Sequence, residues 1–225
     1  MAKWADPALD SEEQLRRKKK AIIREAAKVF SRKGFHGTTL DEVADRLNVT
    51  KTALYRYVKN KNELLAACHE EAMEIAFDAL AAGEKQGSNG LEKIRIAMTI
   101  YLREMIGAMG VPVLILEENA LTGEEAVKII GLRDRFEKRV REMFLEGVKD
   151  GSVVQVNPKL ATFMLLGAVH WVTKWYSPEG AWTPEDVSEA LMEMATRGFA
   201  ADPSNELKAG IHHNLIEFKK GRSET

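Results

Sequence analysis

Between residues 16 and 61 the chain concentrates side chains that grip phosphate. Arg16-Arg17-Lys18-Lys19-Lys20 is an unbroken cationic run, and Thr39, Thr50, Lys51, Thr52, Tyr55, Tyr57 and Lys61 follow it. Ammonium and guanidinium groups meet phosphate oxygens by charge, and Thr and Tyr hydroxyls donate to them, fixing register without reading bases. Small polar residues at the start of a helix also let it lie deep in a major groove, where Thr and Lys reach base edges. The charge is segregated: residues 16–61 carry 14 Lys/Arg against four Asp/Glu, a net of +10, while residues 62–225 carry 18 against 26, a net of −8. With −3 from residues 1–15 the whole chain is only −1. Such asymmetry points to a module facing double-stranded nucleic acid, joined to one that does not.

Other chemistries find little support. The five histidines (His36, His69, His170, His212 and His213) lack metal-ligand spacing with carboxylates or with the single cysteine, Cys68. No glycine-rich loop follows a strand pattern. Glu117-Glu118 reads as surface rather than an acid/base pair, and His170 as a core or interface residue. The expectation is therefore no catalytic residue, no metal and no cofactor. One cysteine excludes an internal disulfide and fits a reducing cytoplasm. The polar start of the chain offers no secretory leader. Segment 159–176 approaches the length of a membrane span but carries His170 and Lys174, so it reads as a buried helix.

The elements that must position these residues are helical throughout, and the fold class expected is all-α. Capping-box spacing marks starts at Ser11–Gln14, Thr39–Glu42, Asn60–Glu63 and Thr122–Glu125. Asn157-Pro158 and Thr183-Pro184 add two cap-plus-proline starts. Stops are expected at Gly34, between Gly83 and Gly90, and at Gly110, Gly151 and Gly180. Helices are expected over 12–33, 39–47, 51–58, 61–82, 91–109, 113–120, 124–150, 159–176 and 185–199. A weaker one near 206–220 would use Leu207, Ile211, Leu215 and Phe218, with His212 and His213 in solvent.

Leu40, Val43, Ala44 and Leu47 recur at i, i+3, i+4 and i+7, and Asn48-Val49-Thr50 then forms a tight turn into 51–58. This is helix-turn-helix spacing. In the second helix Val49, Leu54 and Val58 face inward, leaving Thr50, Lys51, Thr52, Tyr55 and Tyr57 for a partner.

The run Phe35-His-Gly-Thr-Thr-Leu-Asp-Glu-Val-Ala-Asp-Arg-Leu-Asn-Val-Thr-Lys-Thr-Ala-Leu-Tyr-Arg-Tyr-Val-Lys-Asn-Lys-Asn-Glu-Leu-Leu65 resembles the DNA-binding domain of the TetR family of bacterial regulators, over about residues 15 to 65. By that resemblance Thr39, Thr50, Lys51, Thr52, Tyr55, Tyr57 and Lys61 match positions through which family members touch DNA, and Arg16 and Arg17 precede them. Gly34, Leu40, Val43, Ala44 and Leu54 match packing positions. Thr52 stands where the family often has glycine or alanine, and Val58 where it often has phenylalanine. The implied architecture is an N-terminal three-helix DNA-binding domain at 15–62, behind a flexible arm at 1–14. A ligand-binding and dimerisation domain at 63–200 and a tail at 201–225 complete it.

The resemblance also implies a homodimer on a palindromic operator. Segment 159–176 is apolar nearly all round, which a helix covered on one side could not tolerate. Phe163, Leu166, Val169 and Trp175, with Leu191, Met194 and Gly198 of the next helix, are the expected interface, paired with their symmetry mates as a four-helix bundle. Met98, Tyr101, Met105, Phe136, Val140, Phe144 and Trp171 combine thioethers and aromatics and are the expected lining of a pocket for a small apolar ligand. Trp171-Val-Thr-Lys-Trp-Tyr-Ser-Pro-Glu-Gly180 is similar to the C-terminal pattern of TetR-type regulators of fatty-acid catabolism, many of which answer to acyl-CoA thioesters. Arg133, Arg135, Lys138, Arg139 and Arg141 offer cations for a CoA phosphate. Two other readings stay open at this point: a helical enzyme acting on an apolar thioester, and a helical adaptor whose basic segment binds an acidic protein.

Overall fold

The computed structural model describes residues 11–108 and 120–202. They form α1 (Ser11–Lys33), α2 (Leu40–Arg46), α3 (Lys51–Leu54), α4 (Lys61–Gln86), α5 (Gly90–Ala108), α6 (Gly123–Asp150), α7 (Pro158–Trp175) and α8 (Pro184–Phe199). The fold is all-α: among the described residues the sole extended pairing is an isolated bridge between Val153 and Ala200, which docks the end of α8 on the α6–α7 turn. The arm before residue 11, Gly110, Glu117-Glu118, all but the last residue of the helix expected at 113–120, and the tail with its 206–220 helix and two histidines lie outside the described residues.

The starts at Thr39, Asn60, Asn157 and Thr183 follow the expected cap chemistry, whereas Ser11 is itself the first helical residue of α1. The Thr39, Asn60 and Thr183 side chains accept from the backbone N–H of Glu42, Glu63 and Asp186. Asn157 accepts from both Lys159 and Leu160. Thr122 makes no side-chain cap bond, so the box expected there is not formed. The turn between α2 and α3 rests on Asn48, whose φ of 53 puts it in the left-handed region that Asn enters more readily than most residues.

Two helices differ from expectation. α3 is regular only to Leu54; Arg56 and Tyr57 then bond to Ala53 and Leu54, tightening the chain as Val58 turns inward. α4 runs through Gly83 to Gln86 rather than stopping there. A Cβ on Gly83 would lie 2.5 Å from the Lys93 carbonyl oxygen and 2.8 Å from the Ala97 Cβ. That glycine is spent on the crossing of α4 and α5, not on a turn. Gly90 serves the α5–α6 crossing in the same way, because a Cβ there would run into the Gly147 backbone.

One continuous core links the parts. Ile22, Ile23, Ala26, Ala27, Val29 and Phe30 of α1 join Val43, Ala44 and Leu54, then Leu64, Leu65 and Cys68 of α4, then α5, α6 and α8. α5 lies at the centre, packed on α4, α6 and α8, while α7 rides mainly on α6. No helix among the described residues is long and apolar enough to cross a membrane.

Candidate nucleic-acid interface and effector cleft

The short α2–α3 pair presents its polar residues as the sequence suggests. Thr50 caps α3 by accepting from Ala53 N–H, which leaves its hydroxyl proton free to donate outward. Thr39 caps α2 in the same way. Thr50, Lys51, Thr52 and Tyr55 are exposed, whereas Tyr57 is half-buried against the core. Lys51 reaches Asp41 at 2.8 Å with both side chains more than half exposed, an ion pair weak enough to be exchanged for a phosphate. Arg16 and Arg17 share the carboxylate of Glu13 at 2.9 and 3.1 Å and stay largely exposed. Those two guanidiniums hold the Glu13 carboxyl below its usual range.

Lys61 is placed differently from the other cations. Its ammonium donates to the carbonyls of Phe35 and Thr38 at 2.7 and 2.9 Å and sits 4.2 Å from the Phe35 ring centre. It ties the start of α4 to the turn before α2, so two of its three donors serve the protein itself. Behind it, α4 is bound to α1: buried Glu71 meets Lys20 at 3.3 Å and Arg24 at 3.4 Å, and the Cys68 thiol points to the Ile23 carbonyl. Burial pushes the Cys68 thiol far up, leaving it protonated.

A cleft of about 400 Å³ opens between α4, α6 and α7. Its floor is Met73, Phe136 and Leu166, its polar wall Arg133, Asp134, Glu137 and His170, and its rim Ile130, Phe163 and Gly167. Among the expected pocket residues Phe136 alone lines it. Met98, Tyr101, Met105, Val140 and Phe144 are fully buried and pack the interior, because central α5 has neighbours on every side. Tyr101 touches the site from behind, with its hydroxyl 3.3 Å from His170 Nε2 and its ring 5.2 Å from Phe136. Burial, aided by Arg133, pushes the His170 imidazole down to about 4, so it is neutral near pH 7. Of the cations on α6, Arg139 is committed to Glu84 and Glu142, Lys138 and Arg141 to Glu142 and Glu137, and Arg135 lies over Phe77. Arg133 is the one that lines the cleft.

The far side of α7 is apolar and uncovered. Leu160, Phe163, Met164, Gly167, Trp171 and Trp175 are exposed at successive helical turns, and Met194 and Gly198 are exposed on α8. Trp171, 65% exposed, belongs to this face and not to its own subunit's cleft. Leu166 and Val169 move the other way. Both are buried within the subunit, on the side of α7 that meets α6, and offer little surface to a second copy.

A helix-turn-helix with exposed Thr and Lys, carried by a helical body, matches two family models in order along the chain. Residues 22–68 match the N-terminal domain described as bacterial regulatory proteins, tetR family, and residues 87–199 match a tetracyclin repressor-like C-terminal domain. The chain belongs to the TetR family. As a TetR protein it is a transcriptional regulator that reads DNA through its helix-turn-helix. It is similar to a TetR family transcriptional regulator, PfmR from Thermus thermophilus, at 30% identity and a TM-score of 0.67, covering 78% of this chain and 97% of that one. It is similar at 26% identity and a TM-score of 0.68 to AibR in complex with isovaleryl coenzyme A and operator DNA, covering 79% of this chain and 97% of that one. The fatty acid metabolism regulator protein of Bacillus subtilis is 22% identical, over 82% of this chain and 97% of its own.

Within this TetR chain, sequence reasoning missed the rim and wall of the cleft: Met73, Ile130, Asp134, Glu137 and Gly167. A signal was present. Ile129, Phe136, Val140 and Phe144 mark the inward stripe of α6, and Arg133 and Glu137 fall on it, where apolar residues are the norm. Charged residues on an inward stripe need a polar occupant or partner nearby.

Proposed function

We propose that this TetR regulator is a repressor that binds a palindromic operator as a homodimer and releases it when an amphiphilic effector enters the α4–α6–α7 cleft. Residues 15–62 serve as the DNA-binding domain and 63–200 as the effector and dimer domain, in the cytoplasm where the operator lies. The observation that carries the reading is the exposed start of α3, where Thr50, Lys51 and Thr52 stand clear of a buried Leu54. That arrangement supports insertion of the helix start into a major groove, with Tyr55, Arg16 and Arg17 on flanking phosphates. Neither an enzyme nor an acidic-protein adaptor needs this geometry, and the polar residues of the cleft include no nucleophile paired with a base.

The cleft chemistry favours an effector with an apolar body and an anionic end: Met73, Phe136 and Leu166 for the first, Arg133 for the second. Acyl-CoA thioesters have this character, and isovaleryl coenzyme A is bound by AibR. The path to DNA is short. α4 lines the cleft with Met73, pairs with α6 through Glu70 and Lys128 at 2.6 Å, and grips the helix-turn-helix through Lys61. A ligand that favours one seating of α4 over another alters the separation of the two α3 helices.

The test is selection of duplexes from a random pool, followed by titration of the enriched sequence with Lys51→Ala and Tyr55→Phe proteins. Lys51→Ala, which removes a cation, should lower the slope of log affinity against log salt by about one, whereas Tyr55→Phe, which removes a neutral hydroxyl, should weaken binding at an unchanged slope. Enrichment of no sequence, or binding indifferent to salt, refutes the proposal. Addition of acyl-CoA thioesters should then release the enriched duplex from the wild-type protein.

A further inference from the structure

The cleft described above is open, and its exposed lining residues are Ile130 and Asp134 of α6 and Phe163 and Gly167 of α7. Phe163 and Gly167 form part of its rim and also belong to the exposed stripe. Ligand sites bury most of their ligand, so an apolar effector in a cleft with this mouth would remain wet. Something must cover it.

We infer that the cover is Trp171 of a second copy of this chain, so that each effector site is built from two subunits. The inference rests on the dimer and effector reading above and deepens it. An isologous interface sets residue i against residue j of the second copy and j against i, so a stripe without charges can pair with itself and leave no charge unmatched. Between Lys159 and Lys174 the exposed residues of α7 carry no charge. The middle of the stripe from Leu160 to Trp175 falls at Gly167, where an added Cβ would meet nothing within 4 Å, leaving room for close approach of a second backbone. A two-fold axis there runs the two α7 helices antiparallel. Residues at equal steps from Gly167 then face one another, which sets Phe163 against the partner subunit's Trp171. The large indole is 65% exposed and makes no part of its own subunit's cleft. Placed over Phe163 it closes the rim of the neighbouring one. Effector binding and subunit association are thereby linked, each strengthening the other.

Two measurements test this. The first needs no ligand: a Phe163→Cys/Trp171→Cys protein is oxidised mildly. These positions lie about 12 Å apart along one helix, too far for a disulfide within a subunit, whose Cα atoms must approach within about 7 Å. A covalent dimer that neither single substitution gives is the expected result, and its absence overturns the proposal. The second uses isovaleryl-CoA and decanoyl-CoA as probes. Trp171→Ala and Arg133→Ala dimers should each bind about tenfold more weakly, as for other buried anchor residues. A mixed dimer of one Trp171→Ala and one Arg133→Ala subunit should regain one wild-type site, because the first subunit keeps Arg133 and receives the partner's Trp171. A mixed dimer with no restored site, alongside a wild type that binds, overturns the shared site and leaves the effector reading standing. A wild-type dimer that binds neither probe overturns both.

Discussion

Single side chains show how this chain divides its polar groups between structure and function. Lys61 carries a charge suited to phosphate, yet its ammonium is held by two carbonyls, one of them on buried Thr38. Lys61→Met leaves those acceptors unmatched and should cost about 2 kcal/mol, read as a lower urea midpoint at unchanged slope. His170 offers a titration. Its folded value of about 4 lies below the unfolded value of 6.5, so the unfolded chain takes up the proton first as pH falls. Stability from this group is complete above pH 6.5 and is lost on descent toward 4, by at most about 3 kcal/mol. Carboxylates with lowered values, such as Asp150 and Asp186, add their losses only toward the lower end. Urea titrations stepped from pH 7 to 4.5 should show a slope in the wild type that His170→Phe flattens. Neither behaviour is legible in sequence, because both depend on partners 23 to 69 residues away.

Helices, by contrast, were largely readable. Caps and alternating faces are local, so Thr39, Asn60, Asn157 and Thr183 announce the starts of α2, α4, α7 and α8 before any tertiary contact is known. Glycine was the weak point, since one residue type serves both turns and crossings. Gly83 reads as a stop but lies inside α4, and Gly90 opens α5 against the backbone of Gly147. Gly131, also helical, has open space around it. Gly90→Ala should therefore unfold the protein readily, losing more than about 2 kcal/mol, because the obstacle is backbone and cannot rotate away. Gly131→Ala should gain about 0.5–1 kcal/mol from helix propensity alone. Thermal melts of the pair check both, and similar effects from the two would contradict the packing described here.

At the scale of the molecule, the basic N-terminal part and the apolar face of α7 sit on one continuous core, so duplex binding and self-association are not independent. Met164→Arg places a charge in the middle of the α7 face without touching the cleft lining. The expected outcome is a folded monomer by sedimentation, with operator affinity lower by at least tenfold, since a single helix-turn-helix reads one half-site. A variant that remains dimeric would show that the pairing surface lies elsewhere.

The order of residues was enough for the all-α class, the helix-turn-helix, the exposed Thr50-Lys51-Thr52 and the TetR family. The first three rest on periodicity, capping or spacing within a short stretch, and the last on the resemblance of the run from Phe35 to Leu65. It could not separate cavity from core. Met98, Tyr101, Met105, Val140 and Phe144 have the composition of a pocket, and only the placement of α5 among three other helices fills the space around them. Nor could it divide the apolar residues of α7 into the inward Leu166 and Val169 and the outward Trp171, because a helix apolar all round does not state which side its own subunit will cover. That choice is made by the packing of α7 on α6, through contacts distant in sequence.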